Sequence, residues 1–210
     1  MNKKLAATSS AIITAILSAV ILVEGGYTDD PYDPGGKTKY GITENVAREY
    51  GYTGRIEDLT KEMAIEIYET LYVREPHFDL MIDVNPAIAH KLIDAGVNVG
   101  TARVSLWFQR ILNNLSNAGK LYPLISEDGM IGPKTIASYK ALESIRGKEK
   151  ACTLVLKSLD GYQTYYYSSL TDLNRYLAGW LDKRIENISL SQCTNYNLRI
   201  PFLIEEDESK

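Results

Sequence analysis

Two carboxylates, Glu24 and Asp33, stand in one short glycine-rich run, EGGYTDDPYDPGGKTKYGIT (Glu24 to Thr43). Cleaving a glycosidic bond takes one carboxyl that protonates the leaving oxygen and a second that activates water or attacks the sugar. Glu24 follows four apolar residues, Val20 to Val23, a setting in which a carboxyl loses hydration and its acid form is favoured toward neutral pH. Asp33 lies among Tyr32, Pro34, Gly35 and Gly36, a polar loop in which it stays ionised. The two surroundings push the pair toward the roles of acid and base, and the Thr38 hydroxyl is suited to hold the attacking water. Tyr27, Asp30 and Tyr40 in the same run are the expected substrate contacts, and Asn98 in AGVNVG is suited to a sugar acetamido group or, equally, to closing a turn. Taken singly, Asp29, Asp30 and Asp33 read as solvated turn residues. As a cluster they read as a site, because the glycines clear side-chain bulk beside an acid at a helix end. The run does not satisfy the D-x-[DN]-x-[DN]-G calcium pattern. The two histidines, His77 and His90, lack zinc-ligand spacing, so no metal or cofactor is expected. His90, four residues before Asp94, reads as a local structural pair.

The element that must carry Glu24 is the uncharged stretch from Leu5 to Val23, which runs into the acidic motif without a linker. As a helix it spans roughly 30 Å, the hydrocarbon thickness of a bilayer. Nine of its residues are Leu, Ile or Val and the others are Ala, Ser or Thr, so insertion gains only a few kcal/mol. With Lys3 and Lys4 before it and Glu24, Asp29, Asp30 and Asp33 after it, the positive-inside rule places the N-terminus in the cytoplasm and the remainder outside. A cleavable signal peptide is the competing reading, and a buried helix of a soluble protein the plainer one.

Beyond the motif the chain of 210 residues predicts an all-α body, mainly helical, with apolar residues at three-to-four spacing. Thr60 caps one helix ending before Pro76, Pro86 opens another ending near Gly100, and a third carries Val104 to Leu115. The stretch Asp128-Gly129-Met130-Ile131-Gly132-Pro133 reads as a turn feeding helices near 133–145, 147–169 and 171–188. Tyr162, Tyr165, Tyr166, Tyr176 and Trp180 fall at helical spacings and read mainly as core. Net charge is −4, which argues against a nucleic-acid partner held by phosphate contacts. A monomer is expected, and a charged, loose tail from Glu205 to Lys210. Cys152 and Cys193 suit either one disulfide outside the cytoplasm or two buried thiols, and spacing leaves both open.

The run from Glu24 to Thr43 resembles the signature of glycoside hydrolase family 108, N-acetylmuramidases of lysozyme-like fold that cleave peptidoglycan. Ala87 to Gln109 and DGMIGPKT resemble the peptidoglycan-binding type 3 region that follows this motif in the family, and RYLAGWLDKR (Arg175 to Arg184) resembles its final helix. The resemblance implies a two-lobed helical fold: an N-terminal segment 1–23, a catalytic region 24–95, a peptidoglycan-binding type 3 region 96–190 and a tail 191–210. It implies Glu24 as catalytic acid, completed by Asp33 and Thr38. In the phage lysozyme pattern five residues separate the Asp from the Thr, whereas four lie between Asp33 and Thr38, so Asp30 and Thr43 stand as alternatives.

The apolar segment fused to this motif also resembles signal-arrest-release endolysins of tailed phages. These are exported to the host inner membrane as a single span, here residues 5–23, and then freed into the periplasm to lyse the cell. The expected partners are therefore bacterial peptidoglycan glycan strands and, transiently, that membrane. Two other functions compete: a lytic transglycosylase, which leaves an anhydro product, and a non-catalytic membrane-anchored protein that binds peptidoglycan or aids secretion.

Overall fold

Thr60, Asn85 and Thr43 each begin a helix in the way their side chains dictate, accepting a hydrogen bond from the backbone N–H three residues on. The computed structural model describes residues 3–24, 26–28 and 36–197, the side chains of 3–8, 22–24 and 174 apart. It divides into two units, residues 1–71 with 198–210, and residues 72–197.

In the first unit α1 (Lys3–Glu24) leads into a three-stranded antiparallel sheet, β1 (Tyr27–Thr28), β2 (Thr38–Lys39) and β3 (Ile42–Thr43). Then follow α2 (Glu44–Glu49), a 3-10 turn (Ile56–Asp58) and α3 (Lys61–Glu69). Ile13, Ala15, Ile16, Leu17, Val20 and Ile21 of α1 are buried, and α1 packs on α3, whose Ala64, Ile67 and Tyr68 are also buried. Ser10 and Thr14 remain exposed, so α1 has one face in the protein and one in water. The helix expected over residues 5–23 is present. Among the described residues no helix is long and apolar enough to cross a membrane.

The sheet is a departure from the all-α expectation. Strands of two residues show no alternation for a periodic reading to detect, and they are made by the turns around them rather than by strand propensity.

The second unit continues from a π-helical turn (Thr70–Arg74) into α4 (Asp79–Ile82), α5 (Pro86–Val99), α6 (Thr101–Leu115), α7 (Pro133–Arg146) and α8 (Lys148–Ser169). A 3-10 stretch (Thr171–Tyr176), α9 (Leu177–Arg184) and a last 3-10 turn (Leu190–Cys193) complete it. The single helix expected over 171–188 is therefore broken: backbone at Leu173 leaves helical geometry, and α9 ends at Arg184. α5 is the centre of this unit, packed on α4, α6 and α8. Gly96 lets Phe78 lie against it, since a Cβ there would sit 3.0 Å from the Phe78 ring. Gly100, at φ 93°, ends α5 in a conformation other residues resist.

Two polar arrangements hold the unit. Gln109 of α6 is buried and staples the Asp128–Met130 turn, donating to the Asp128 carboxylate at 2.7 Å and the Met130 carbonyl at 2.9 Å while accepting from Gly129 N–H at 2.8 Å. Buried charges on α5 reach far along the chain: Lys91 pairs with Asp160 at 2.6 Å, and Asp94 with Arg184 at 2.7 Å and with the Asn187 amide at 2.9 Å. Asp94 is thus committed to Arg184 and Asn187, and the ring nitrogen of His90 lies 3.3 Å from the Tyr196 hydroxyl. Cys152 and Cys193 form a disulfide, resolving the choice left open above. Not all the aromatic residues are core: Trp107 stacks on Tyr162 at 5.8 Å, but Tyr165 and Tyr176 are exposed.

Burial pushes the His90 pKa down to about 4, with the Asp94 charge opposing. Between about pH 6.5 and 4 the unfolded chain therefore takes up a proton that the folded chain refuses, and stability falls as pH drops through that window. Urea unfolding at pH 7 and 4.5 is expected to show wild type losing up to about 3 kcal/mol more than His90→Gln across this interval. Equal losses would show that His90 carries no linkage.

Candidate functional site

The candidate site grows from the end of α1. Glu24 is the last residue of that helix, and two residues later the Gly26 carbonyl accepts from Tyr40 N–H at 3.4 Å, so the chain passes from the helix straight into the sheet. Tyr27 opposes Lys39, and Thr28 opposes Thr38, which in turn opposes Thr43. Three threonines thus cross the sheet in register. Asp30 and Asp33 belong to the segment 29–35 that connects β1 to β2 and lie outside the described residues, as does the side chain of Glu24.

Thr38, half-buried on the central strand, donates its hydroxyl hydrogen to the Gly36 carbonyl at 3.2 Å, which leaves its oxygen as an acceptor. Thr43 is occupied differently: its oxygen caps α2 by accepting from Val46 N–H at 3.3 Å. Tyr40 has a left-handed backbone, φ 54°, fixed in part by the Tyr68 hydroxyl, which donates to its carbonyl at 3.0 Å; the Lys39 ammonium lies 5.5 Å from its ring. Tyr27 is exposed, with its hydroxyl 3.3 Å from Glu57. The structure therefore places Tyr27 and Thr38 on one small sheet, and Tyr40 in the turn between its second and third strands, at the end of the helix that bears Glu24. Asn98 belongs to the second unit, near the end of α5, where its side-chain oxygen accepts from the Tyr167 hydroxyl.

Sequence reading missed Glu57. From the 3-10 turn its carboxylate pairs with Lys37 at 3.0 Å and Arg55 at 3.6 Å and accepts from Tyr27, while its carbonyl accepts from the Lys39 ammonium. Hydrogen bonding from its own backbone N–H, then from Lys37, holds its pKa down to about 2, so it is a fixed anion rather than a proton donor. It grips β1 through Tyr27 and β2 through Lys39, with Lys37 just before that strand. The only signal in the chain was a glutamate twenty residues beyond a lysine, a separation no local rule pairs.

Residues 17–100 match the family described as Glycosyl hydrolase 108, and residues 103–185 match the family described as Predicted Peptidoglycan domain. A solved structure, that of Brucella abortus SagA, is similar over 89% of this chain and 96% of its own, at 23% identity and a TM-score of 0.66, a likeness of fold. No curated protein matches the chain. The two family matches define the class of protein: a glycosyl hydrolase that acts on peptidoglycan. The first stretch is thus similar to glycosyl hydrolase family 108, and the second to a predicted peptidoglycan domain.

Glu57→Gln keeps the shape but removes the charge that pairs with Lys37 and Arg55. The rate of cell-wall clearing is expected to fall about tenfold through misplacement of the sheet, with the melting temperature nearly unchanged. An unchanged rate would show that the sheet needs no such clamp.

Proposed function

We propose that this protein is an N-acetylmuramidase that hydrolyses the β-1,4 linkage between N-acetylmuramic acid and N-acetylglucosamine, with Glu24 as the acid. The observation that carries this reading is the position of Glu24. It closes a 22-residue helix and is followed by a sheet that holds Tyr27 and Thr38, carries Tyr40 in a turn and flanks the segment bearing Asp30 and Asp33; Glu24 and these five residues all fall within the residues matched to the hydrolase family. The C-terminal end of a helix is the negative end of its dipole, which favours a protonated carboxyl and suits proton donation to a leaving oxygen. Asp33 takes the complementary role, and Thr38, with an acceptor oxygen on the central strand, positions the water. Thr43 serves as a helix cap, which favours Thr38 of the two. Tyr27 and Tyr40 supply ring faces to the sugars beside them, with Asp30 as a further substrate contact.

Glu24→Gln is expected to clear purified bacterial walls about 10²- to 10⁴-fold more slowly than wild type. Mass analysis of the wild-type digest is expected to give reducing N-acetylmuramic ends. Anhydro ends would make the protein a lytic transglycosylase instead, and equal clearing by both variants would remove Glu24 from the chemistry.

The same helix supports a second part of the proposal: export in a membrane-tethered, inactive form through residues 5–23, release into the periplasm, and lysis of the host cell, in the manner of phage signal-arrest-release endolysins. Ile13, Ile16, Leu17, Val20 and Ile21, which a bilayer would hold, are the residues that α1 buries in the fold, so occupation of lipid and completion of the enzyme exclude each other. The disulfide favours a compartment outside the cytoplasm. Ser10 and Thr14 are exposed, so leucine at both strengthens lipid affinity, at roughly 0.5 kcal/mol per residue, without touching the core. Cells expressing the Ser10→Leu, Thr14→Leu variant are expected to retain it in the membrane fraction and to lyse late; lysis on the wild-type schedule from a released protein would contradict the switch.

A further inference from the structure

A cavity of about 700 Å³ opens in the second unit between α8 and the chain that follows α9. One wall is Lys157, Asp160, Gly161 and Thr164, spaced so that all four fall on a single face of α8. The other is the segment from Ile185 to Leu190.

That second wall is irregular chain, and it is held at every end. Arg184 and Asn187 are tied to Asp94, Lys91 donates to the Arg184 carbonyl at 2.8 Å and to Asn187 at 3.2 Å, and the Cys152–Cys193 disulfide fastens the following turn to α8. Glu186, within this wall, has φ 56°, a strained conformation that surrounding structure must enforce and that gathers at ligand clamps.

Gly161 supplies the sharpest evidence. A glycine inside a helix is unfavourable relative to alanine and is normally explained by a close neighbour, yet a Cβ built here meets nothing within 4 Å. Among the described residues no packing contact accounts for it, and the room it leaves lies on the side of the cavity it lines.

The lining says what would fill that room. Asp160 is neutralised by the buried Lys91 at its back. Lys157 and Glu186 are exposed and offer one charge of each sign, Thr164 and Ser189 offer hydroxyls, and Ile185, Ile188 and Leu190 offer aliphatic surface. Among the described residues no aromatic ring lines the cavity, so these walls offer a sugar no face to stack on. An amphoteric short peptide carrying an ammonium, carboxylates and methyl groups matches every element. We propose that this cavity binds the stem peptide of peptidoglycan, with Glu186 taking the ammonium of its diamino residue and Lys157 a carboxylate. The inference rests on peptidoglycan being the substrate, and it assigns the peptide, rather than the glycan, to the second unit.

The test titrates muramyl tripeptide containing meso-diaminopimelate, and N-acetylmuramic acid alone, into the full-length protein by calorimetry. Wild type is expected to bind the tripeptide saturably and the bare sugar at least tenfold more weakly. Gly161→Leu, whose Cβ meets no neighbour within 4 Å and whose side chain takes up space in the cavity, is expected to weaken tripeptide binding at least tenfold while melting no lower than wild type. Glu186→Gln is expected to weaken binding about tenfold. Undiminished binding to Gly161→Leu, or equal affinity for sugar and tripeptide, would overturn the proposal. Glu24→Gln separates the two readings. If it clears walls like wild type yet binds the tripeptide, the catalytic reading fails and the cavity stands; if wild type clears walls but does not bind the tripeptide, the cavity alone fails.

Discussion

Ile13, Ile16, Leu17, Val20 and Ile21 are withdrawn from water inside the first unit, and the rest of the catalytic segment depends on that one packing contact. Burying large aliphatics yields about 1.5–3 kcal/mol each, so the docked face is worth on the order of 10 kcal/mol as an upper figure. The nine large aliphatics from Leu5 to Val23 gain about 4–5 kcal/mol in a bilayer, before five hydroxyl-bearing residues reduce it. The magnitudes favour the fold over lipid for this stretch. A more apolar helix would reverse the preference, and a less apolar one would not enter a membrane, so the mixture of alanine, serine and threonine with isoleucine and leucine is what the proposed exchange between lipid and fold requires.

What α1 delivers by docking is a fixed end. Glu24 ends the helix, and its chain enters a sheet of six residues whose strands are too short to stand alone. That sheet is stabilised by side chains from elsewhere: the Tyr68 hydroxyl of α3 on the Tyr40 carbonyl, and the Glu57 carboxylate on Tyr27 and Lys37. Because α3 both receives the buried face of α1 and holds Tyr40, the helix and the sheet share a support. In the second unit the same economy appears around α5, whose Lys91 and Asp94 fix the chain after α9 and so shape a cavity distant in sequence.

The parts of this architecture that local rules govern were legible in the residues. Thr60, Pro86 with Gly100, and the Asp128-Gly129 turn announced themselves because caps, first-turn prolines and left-handed glycines act within four residues. The helix ending at Glu24 was legible from its nineteen uncharged residues, Leu5 to Val23. Partners chosen by tertiary packing were not. Lys91, Asp94, Asp160 and Arg184 look like ordinary surface charges until the fold brings residues ninety positions apart to 2.7 Å. The Cys152–Cys193 bond, the Glu57 clamp and the Gln109 staple are of that kind. The sheet escaped because two-residue strands leave no period, and the break at Leu173 because the residues around it keep helical spacing while the backbone does not.

The central claim is that α1 is an integral layer of the folded enzyme, and native-state amide hydrogen exchange on the soluble, detergent-free protein tests it most directly. An unsupported helix of this length is marginal in water and exchanges freely. The account predicts that the amides of Ile16 to Ile21 are protected as strongly as those of Ile67 and Tyr68 in α3, and that both open together as denaturant is added. Rapid exchange in α1 beside full protection in α3, in a protein that still clears cell walls, would contradict it.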